Sequence, residues 1–200
     1  MIKNMGLANR VTLLRIVFVP VFVVVLLSSL GAWGPWLAAI LFTLLAATDA
    51  VDGYIARSRN EVTTFGKFID PLADKLLVTA ALVALVELGQ ISSWIALVII
   101  SRELIVSGLR MVAVAEGTVI AASNYGKLKT VFQIIAIVAF IIKDTQLIVD
   151  LLGESGHTVL NGMAWFVMGI AVALTIISMI DYFYHARDVI TGPWSGDEGA

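Results

Sequence analysis

Residues 36–88 hold two apolar stretches joined by a short polar segment, and four aspartates, Asp49, Asp52, Asp70 and Asp74, crowd around the joint. No other feature constrains the fold as much. A carboxylate inside an apolar span is costly, and such residues mark functional sites by default. Asp49 and Asp52 are three residues apart and share one face of a helix; Asp70 and Asp74, four apart, share another. The joining segment, residues 58–64, is short, so the two helices are expected to be antiparallel neighbours with both acid pairs near their common end. Four carboxylates gathered there repel one another, and some protonate unless cations neutralise them. Two acids on one helix are more often a solvated face, and Asp70 before Pro71 could be a local turn. Four in one hairpin, with Gly53 and Gly66 at corresponding depths, favour a two-metal site at the membrane surface. Two divalent cations about 3.5–4 Å apart clamp the attacking and leaving oxygens of a phosphoryl transfer.

The rest of the composition agrees with a membrane setting and with hard metal ions. Hydrophobic residues make up 60% of the chain, and mean hydropathy is +0.97. There is no cysteine, which excludes disulfides, thiolate metal sites and cysteine nucleophiles, and only two histidines, His157 and His185. Oxygen ligands remain, and these suit Mg²⁺, Mn²⁺ or Ca²⁺. Apolar runs of about 20 residues, the length that spans a bilayer, are expected at 11–30, 36–57, 65–88, 93–115, 127–142 and 159–184. The first is read as a retained span and not as a cleaved signal. The fold class is therefore an all-α integral membrane protein of six transmembrane helices, with one catalytic domain over residues 1–190. Residues 1–10 read as an interfacial segment, 143–158 as a polar loop carrying His157, and 191–200 as a disordered tail. Trp33, Trp36, Trp94 and Trp165 lie near span ends, where interface anchors are expected, and His185 reads as interfacial.

Six spans bring both termini to one side. Lys3, Arg10, Arg15, Arg57, Arg59, Lys67, Lys127, Lys129 and Arg187 then fall at one face, and the other face offers Lys143 and little else. The positive-inside rule makes the basic face cytoplasmic. The four aspartates lie toward that face, so the expected location is the cell membrane, multi-pass, with the site facing the cytoplasm. Nothing in the chain points to nucleic acid.

Asp49-x-x-Asp52-Gly53-x-x-Ala56-Arg57, then eight residues, then Gly66-x-x-x-Asp70-x-x-x-Asp74, resembles the signature of the CDP-alcohol phosphotransferase family position by position. That resemblance implies a six-helix, usually homodimeric fold. It implies that Asp49, Asp52 and Asp70 ligate two divalent cations, Mg²⁺ or Mn²⁺, with Asp74 close to the second metal and acting as general base. It further implies that Gly53 and Gly66 let the backbone approach the cytidine nucleotide, that Arg57 contacts its phosphates, and that Ala56 and Thr63 belong to the same CDP-diacylglycerol pocket. Asn9-Arg10-Val11-Thr12 is similar to the family's N-x-L-T element, which places Asn9 and Thr12 in that pocket; Ala8 stands where the family often has proline.

The acceptor is expected from the second half. Glu103, Ser107 and Arg110 follow an i, i+4, i+7 pattern on one helix face, and Arg102 adjoins them. Lys127 and Lys129 open the next span at the same side. Arg102 and Glu103 could equally form a buried structural ion pair, and Lys127 and Lys129 also fit plain positive-inside anchoring. Read together, Arg102, Ser107, Arg110, Lys127 and Lys129 suggest a pocket for an anionic acceptor. The stretches 102–110 and 126–133 resemble the bacterial branch of the family whose acceptor is glycerol 3-phosphate. That implies transfer of a phosphatidyl group from CDP-diacylglycerol to glycerol 3-phosphate, giving phosphatidylglycerophosphate and CMP. Two alternatives stay open: another acceptor, either inositol phosphate or phosphatidylglycerol as in cardiolipin synthesis, and a divalent-cation transporter. Against the transporter, the acids cluster at one end instead of the midplane, and no broken-helix pair flanks them.

Overall fold

The computed structural model describes residues 7–28, 30–59, 64–115 and 124–185, with side chains described at 12–28, 30–48, 73, 75–113 and 126–184. The described residues form six α-helices and no strand: α1 Leu7–Leu27, α2 Gly34–Arg59, α3 Thr64–Glu87, α4 Ser93–Ala115, α5 Asn124–Ile142 and α6 Gln146–His185. A 3-10 turn, Gly31–Trp33, joins α1 to α2. Residues 1–6 of the expected interfacial segment, Thr63 and the 191–200 tail lie outside the described residues.

The helix ends have local causes. Gly89, at φ 66, closes α3 in left-handed backbone. The Gln90 N–H reaches the Leu85 carbonyl and the Gly89 N–H reaches that of Val86, both at 2.9 Å. This pairing satisfies two carbonyls that a helix end leaves orphaned. Ser92 then caps α4, its Oγ accepting from the Trp94 N–H at 3.3 Å. The helix α3 runs straight through Pro71, so Asp70 does not sit in a local turn.

Two expectations are corrected. Helix α1 starts at Leu7, so the last residues of the segment read as interfacial belong to it. The expected loop 143–158 is mostly helix: only Lys143, Asp144 and Thr145 form the connection, and α6 begins at Gln146. Leu147, Ile148, Leu151 and Leu152 recur at helical spacing, and the intervening Asp150 and Glu154 are exposed, so the polar residues interrupt hydropathy without interrupting the helix. The chain does bend there. Gly153 sits at φ 67, ψ 178, a backbone region open in practice to glycine alone, and kinks α6. His157 is accordingly a helical residue and not a loop residue, with Nε2 2.9 Å from Asp144 Oδ1.

α1 packs along both α2 and α3, α5 packs on α6 and α2, and α4 lies against α6 and α3. The core draws on every helix, with Phe22, Phe42, Leu82, Leu85, Ile99, Ile137, Phe140 and Met168 fully buried. Phe22 and Phe42 tie α1 to α2, ring centroids 5.5 Å apart. Small residues Ala38, Ala39, Ala81 and Ala84 line the same interior, which permits close helix approach. Two described stretches, Gly31–Thr48 and Gln146–Tyr184, are long and apolar enough to cross a membrane by length and composition, and Thr12–Leu27 is a shorter apolar helix.

Candidate functional site

The chain order brings one set of helix ends together. The C-terminal turns of α2 carry Asp49, Asp52, Gly53, Ala56 and Arg57, and the N-terminal half of α3 carries Gly66, Asp70 and Asp74. Both helices continue through these positions, so the aspartates keep their i, i+3 and i, i+4 register. The side chains of these residues, and that of Asn9 on α1, lie outside the described residues. Among the described residues no group of three or more His, Asp or Glu could hold a metal ion. The donor set on α2 and α3 nevertheless fits a hard divalent cation in its chemistry, because it offers carboxylate oxygens alone.

Two described polar residues of α1 are buried, and one of them reaches the helix that carries Asp49. Thr12 is buried, and Arg15 is only 1% exposed. Arg15 was expected among the cations of the basic face; it turns inward instead, its guanidinium donating to Thr48 Oγ1 at 3.5 Å, one residue before Asp49. The Thr48 hydroxyl in turn donates to the Leu45 carbonyl at 2.7 Å.

Beside α3 lies a cavity of about 220 Å³ bounded by four helices. Lys75, the residue after Asp74, forms the α3 wall. Helix α4 contributes Arg102, Glu103, Ser107 and Arg110, and α5 contributes Lys127, Lys129 and Thr130. The five residues read from sequence as acceptor contacts therefore all line one cavity, next to the helix of Asp70 and Asp74. Tyr182 of α6 completes it.

The cations differ in their surroundings. Lys129 is 3% exposed and donates to Glu103 Oε1. Arg102 is 6% exposed; its Nη1 lies 3.5 Å from the same oxygen and its Nε donates to Ser178 Oγ at 3.1 Å. Glu103 is thus shared between two buried cations, and the ion pair weighed from sequence for Arg102 is present. Ser107 donates its hydroxyl to the Glu103 carbonyl at 2.5 Å, within its own helix. Arg110 donates to the Tyr182 hydroxyl, and its guanidinium carbon lies 5.2 Å from that ring's centroid. Lys127 is exposed at the cavity rim. Among the described residues five cations face one carboxylate across this space, so a dianion entering it is attracted to donors that are already in place.

Sequence reasoning did not find Tyr182 or Ser178. The available signal was a pair of polar residues four apart in the apolar α6, opposite two arginines of α4.

Comparison with known proteins places most of the chain. The family model for CDP-alcohol phosphatidyltransferase matches residues 5–190. The CDP-diacylglycerol–glycerol-3-phosphate 3-phosphatidyltransferase of Bacillus subtilis is 41% identical over 190 residues, covering 89% of this chain and 93% of that protein. Proteins of the same description from Wigglesworthia glossinidia brevipalpis and Salmonella typhimurium are 35% and 37% identical, over 93% and 91% of this chain and 98% and 95% of their own lengths. With the match running from before the first helix to beyond the last, the chain belongs to the CDP-alcohol phosphatidyltransferase family.

Proposed function

We propose that this chain transfers the phosphatidyl group of CDP-diacylglycerol to glycerol 3-phosphate, releasing CMP and forming phosphatidylglycerophosphate. The observation that carries the acceptor is the cavity: a cluster of cations with one shared acid, walled by the residue that follows Asp74. A phosphorylated alcohol needs such a receptor, whereas serine or a neutral alcohol does not. The activity for which the relatives from Bacillus, Wigglesworthia and Salmonella are named supports the same acceptor.

In this reading Asp49, Asp52 and Asp70, with Asp74 nearby, hold two divalent cations. When bound, Mg²⁺ or Mn²⁺ neutralises charge on the pyrophosphate and on departing CMP. Asn9, Thr12, Gly53, Ala56, Thr63 and Gly66 shape the nucleotide pocket, and Arg57 offers its planar guanidinium to the phosphates. The cavity on α4 and α5 grips the acceptor phosphate and points its free hydroxyl toward α3. The Asp74 carboxylate takes the hydroxyl proton as the acceptor oxygen bonds to the β-phosphorus. The bond from that phosphorus to the CMP oxygen breaks, and its electron pair leaves with CMP.

The six helices cross the membrane with the aspartates at the cytoplasmic face, so the acyl chains stay in lipid while the cytidine head reaches water. Rows of exposed apolar residues support this: Leu14, Val17, Val21 and Val24 on α1, and Leu97, Leu104 and Met111 on α4. Trp33 and Trp94 are exposed at the opposite end of the bundle, as interface anchors would be. We take the active form to be a homodimer, as the family resemblance implies.

The test is an acceptor competition. Purified protein is given CDP-diacylglycerol with glycerol 3-phosphate, inositol phosphate or phosphatidylglycerol, each with and without chelator. Chelator-sensitive CMP release with glycerol 3-phosphate alone is expected. Turnover with inositol phosphate or phosphatidylglycerol and none with glycerol 3-phosphate overturns the acceptor. Metal flux into liposomes without any CMP release overturns the reaction class.

A further inference from the structure

We propose that Tyr182 is the positioning residue that turns Arg102 and Arg110 into a receptor for the acceptor's phosphate dianion. The proposal rests on the reading of the cavity as the acceptor site.

Arg102 and Arg110 stand eight residues apart on α4, a separation of about 12 Å along the axis at 1.5 Å per residue. Both nevertheless bring their guanidinium groups to the same ring. The Arg102 and Arg110 guanidinium carbons lie 5.7 Å and 5.2 Å from the Tyr182 centroid. Two long cationic side chains would otherwise swing apart, because like charges repel and each carries large rotamer freedom. The ring attracts both through its quadrupole. Two hydrogen bonds then fix the arrangement. Arg110 donates to the Tyr182 hydroxyl, and Arg102 donates from Nε to Ser178 Oγ, one turn earlier on α6. Ser178 is itself pinned by donating to the Thr175 carbonyl at 3.0 Å.

Tyr182 is 3% exposed, so its hydroxyl is buried and needs the partner it has. Phenylalanine would fill the same space and keep the ring while leaving the Arg110 N–H short of an acceptor. The consequence is preorganisation: two guanidinium groups are held at one side of the cavity before the ligand arrives, and the ordering cost falls outside the binding step. Tyr182 acts through the arginines and does not touch the reacting atoms.

The test uses the full chain in detergent with inorganic phosphate as the probe, alongside steady-state kinetics in both substrates. Tyr182→Phe is expected to raise the glycerol 3-phosphate KM and the phosphate inhibition constant together by about threefold, the value of one modest hydrogen bond. Tyr182→Leu removes the ring as well and is expected to raise both by about tenfold or more. In each variant the CDP-diacylglycerol KM and kcat at saturating acceptor stay within about twofold, below the effect of one hydrogen bond. Unchanged phosphate inhibition in Tyr182→Phe, or an equal rise in both substrate KM values, overturns the proposal, because a merely structural role gives one of those two patterns. If the wild-type protein uses a different phosphorylated alcohol, the acceptor reading fails while the same split, measured with that alcohol, still judges Tyr182. If inorganic phosphate does not inhibit the wild-type protein, Tyr182 has no dianion receptor to position and the proposal falls.

Discussion

At the scale of single residues, what could be read from sequence depended on what a residue costs in place. An aspartate in an apolar run is expensive, so Asp49, Asp52, Asp70 and Asp74 announce a site by their presence alone. A tyrosine near the end of an apolar helix announces nothing, because aromatic residues gather there to meet the interface. The ties of Tyr182 to Arg110 and of Ser178 to Arg102 span 72 and 76 residues of chain, and no local pattern encodes them. Cations misled in the same way. Arg15 read as one of the cations of a basic face, yet it is buried against Thr48; for Lys129 the same anchoring was the alternative to an acceptor contact, and it is buried on Glu103 in the cavity wall. For the aspartates, position alone does not separate holding a metal from moving a proton, and substitution does. Asp74→Asn keeps shape and removes basicity. It is expected to cut kcat by about 10³-fold, within the usual range for a general base, while CDP-diacylglycerol still binds with near-native affinity in a direct binding measurement. Near-native turnover in that variant would exclude Asp74 as the base.

At the scale of helices, α3 and α4 match their expected bounds to within a residue, because Gly89 and Ser92 mark the break with ordinary cap chemistry. The start of α6 was hidden. Asp150, Glu154 and His157 dilute the hydropathy, and Gly153 kinks the helix among them. The same stretch carries a polar cluster at the end of the bundle opposite the aspartates. Asp144 accepts from Lys143 at 2.6 Å and from the Gln90 amide at 2.9 Å, with His157 beside it. The cluster joins the α3–α4 turn, the α5–α6 turn and the helix beyond the kink. Burial pushes the Asp144 carboxyl up, but hydrogen bonds from Lys143, His157 and Gln90 and the charge on Lys143 outweigh it, and the group sits below its ordinary value. A carboxylate lowered in the folded state stabilises above its unfolded pKa, and that stability disappears as pH falls through the folded pKa. The melting midpoint of Asp144→Asn is therefore expected to lie below wild type by a constant gap from neutrality down to about pH 4, and the gap should close at more acid pH. Because Asp144 is partly exposed, the gap corresponds to less than about 1 kcal/mol. A gap that never narrows as the pH is lowered through the acid range would mean that the Asp144 charge contributes nothing.

At the scale of the molecule, the order of the helices was legible and their packing was not. The lengths of the apolar runs set the first. The second needs a contrast between inward and outward faces, and this chain offers little: on α1 the buried Val19, Phe22 and Leu26 alternate with the exposed Val17, Val21 and Val24. With apolar residues at the exposed positions too, no polar stripe marks the outward face of the helix. The cavity was legible only as a list of cations, since its walls come from α3, α4, α5 and α6. What the proposed architecture does commit to is sidedness. With both termini and the aspartates in the cytoplasm, the α3–α4 turn faces out and the α2–α3 joint faces in. The chain has no cysteine of its own, so single replacements report cleanly. In intact cells Ser92→Cys is expected to react with a membrane-impermeant maleimide, whereas Ser58→Cys reacts only after the membrane is opened. Labelling of both from outside, or of Ser58→Cys alone, would invert or break the six-span arrangement, and with it the placement of the nucleotide pocket on the side where the CMP product must be recovered.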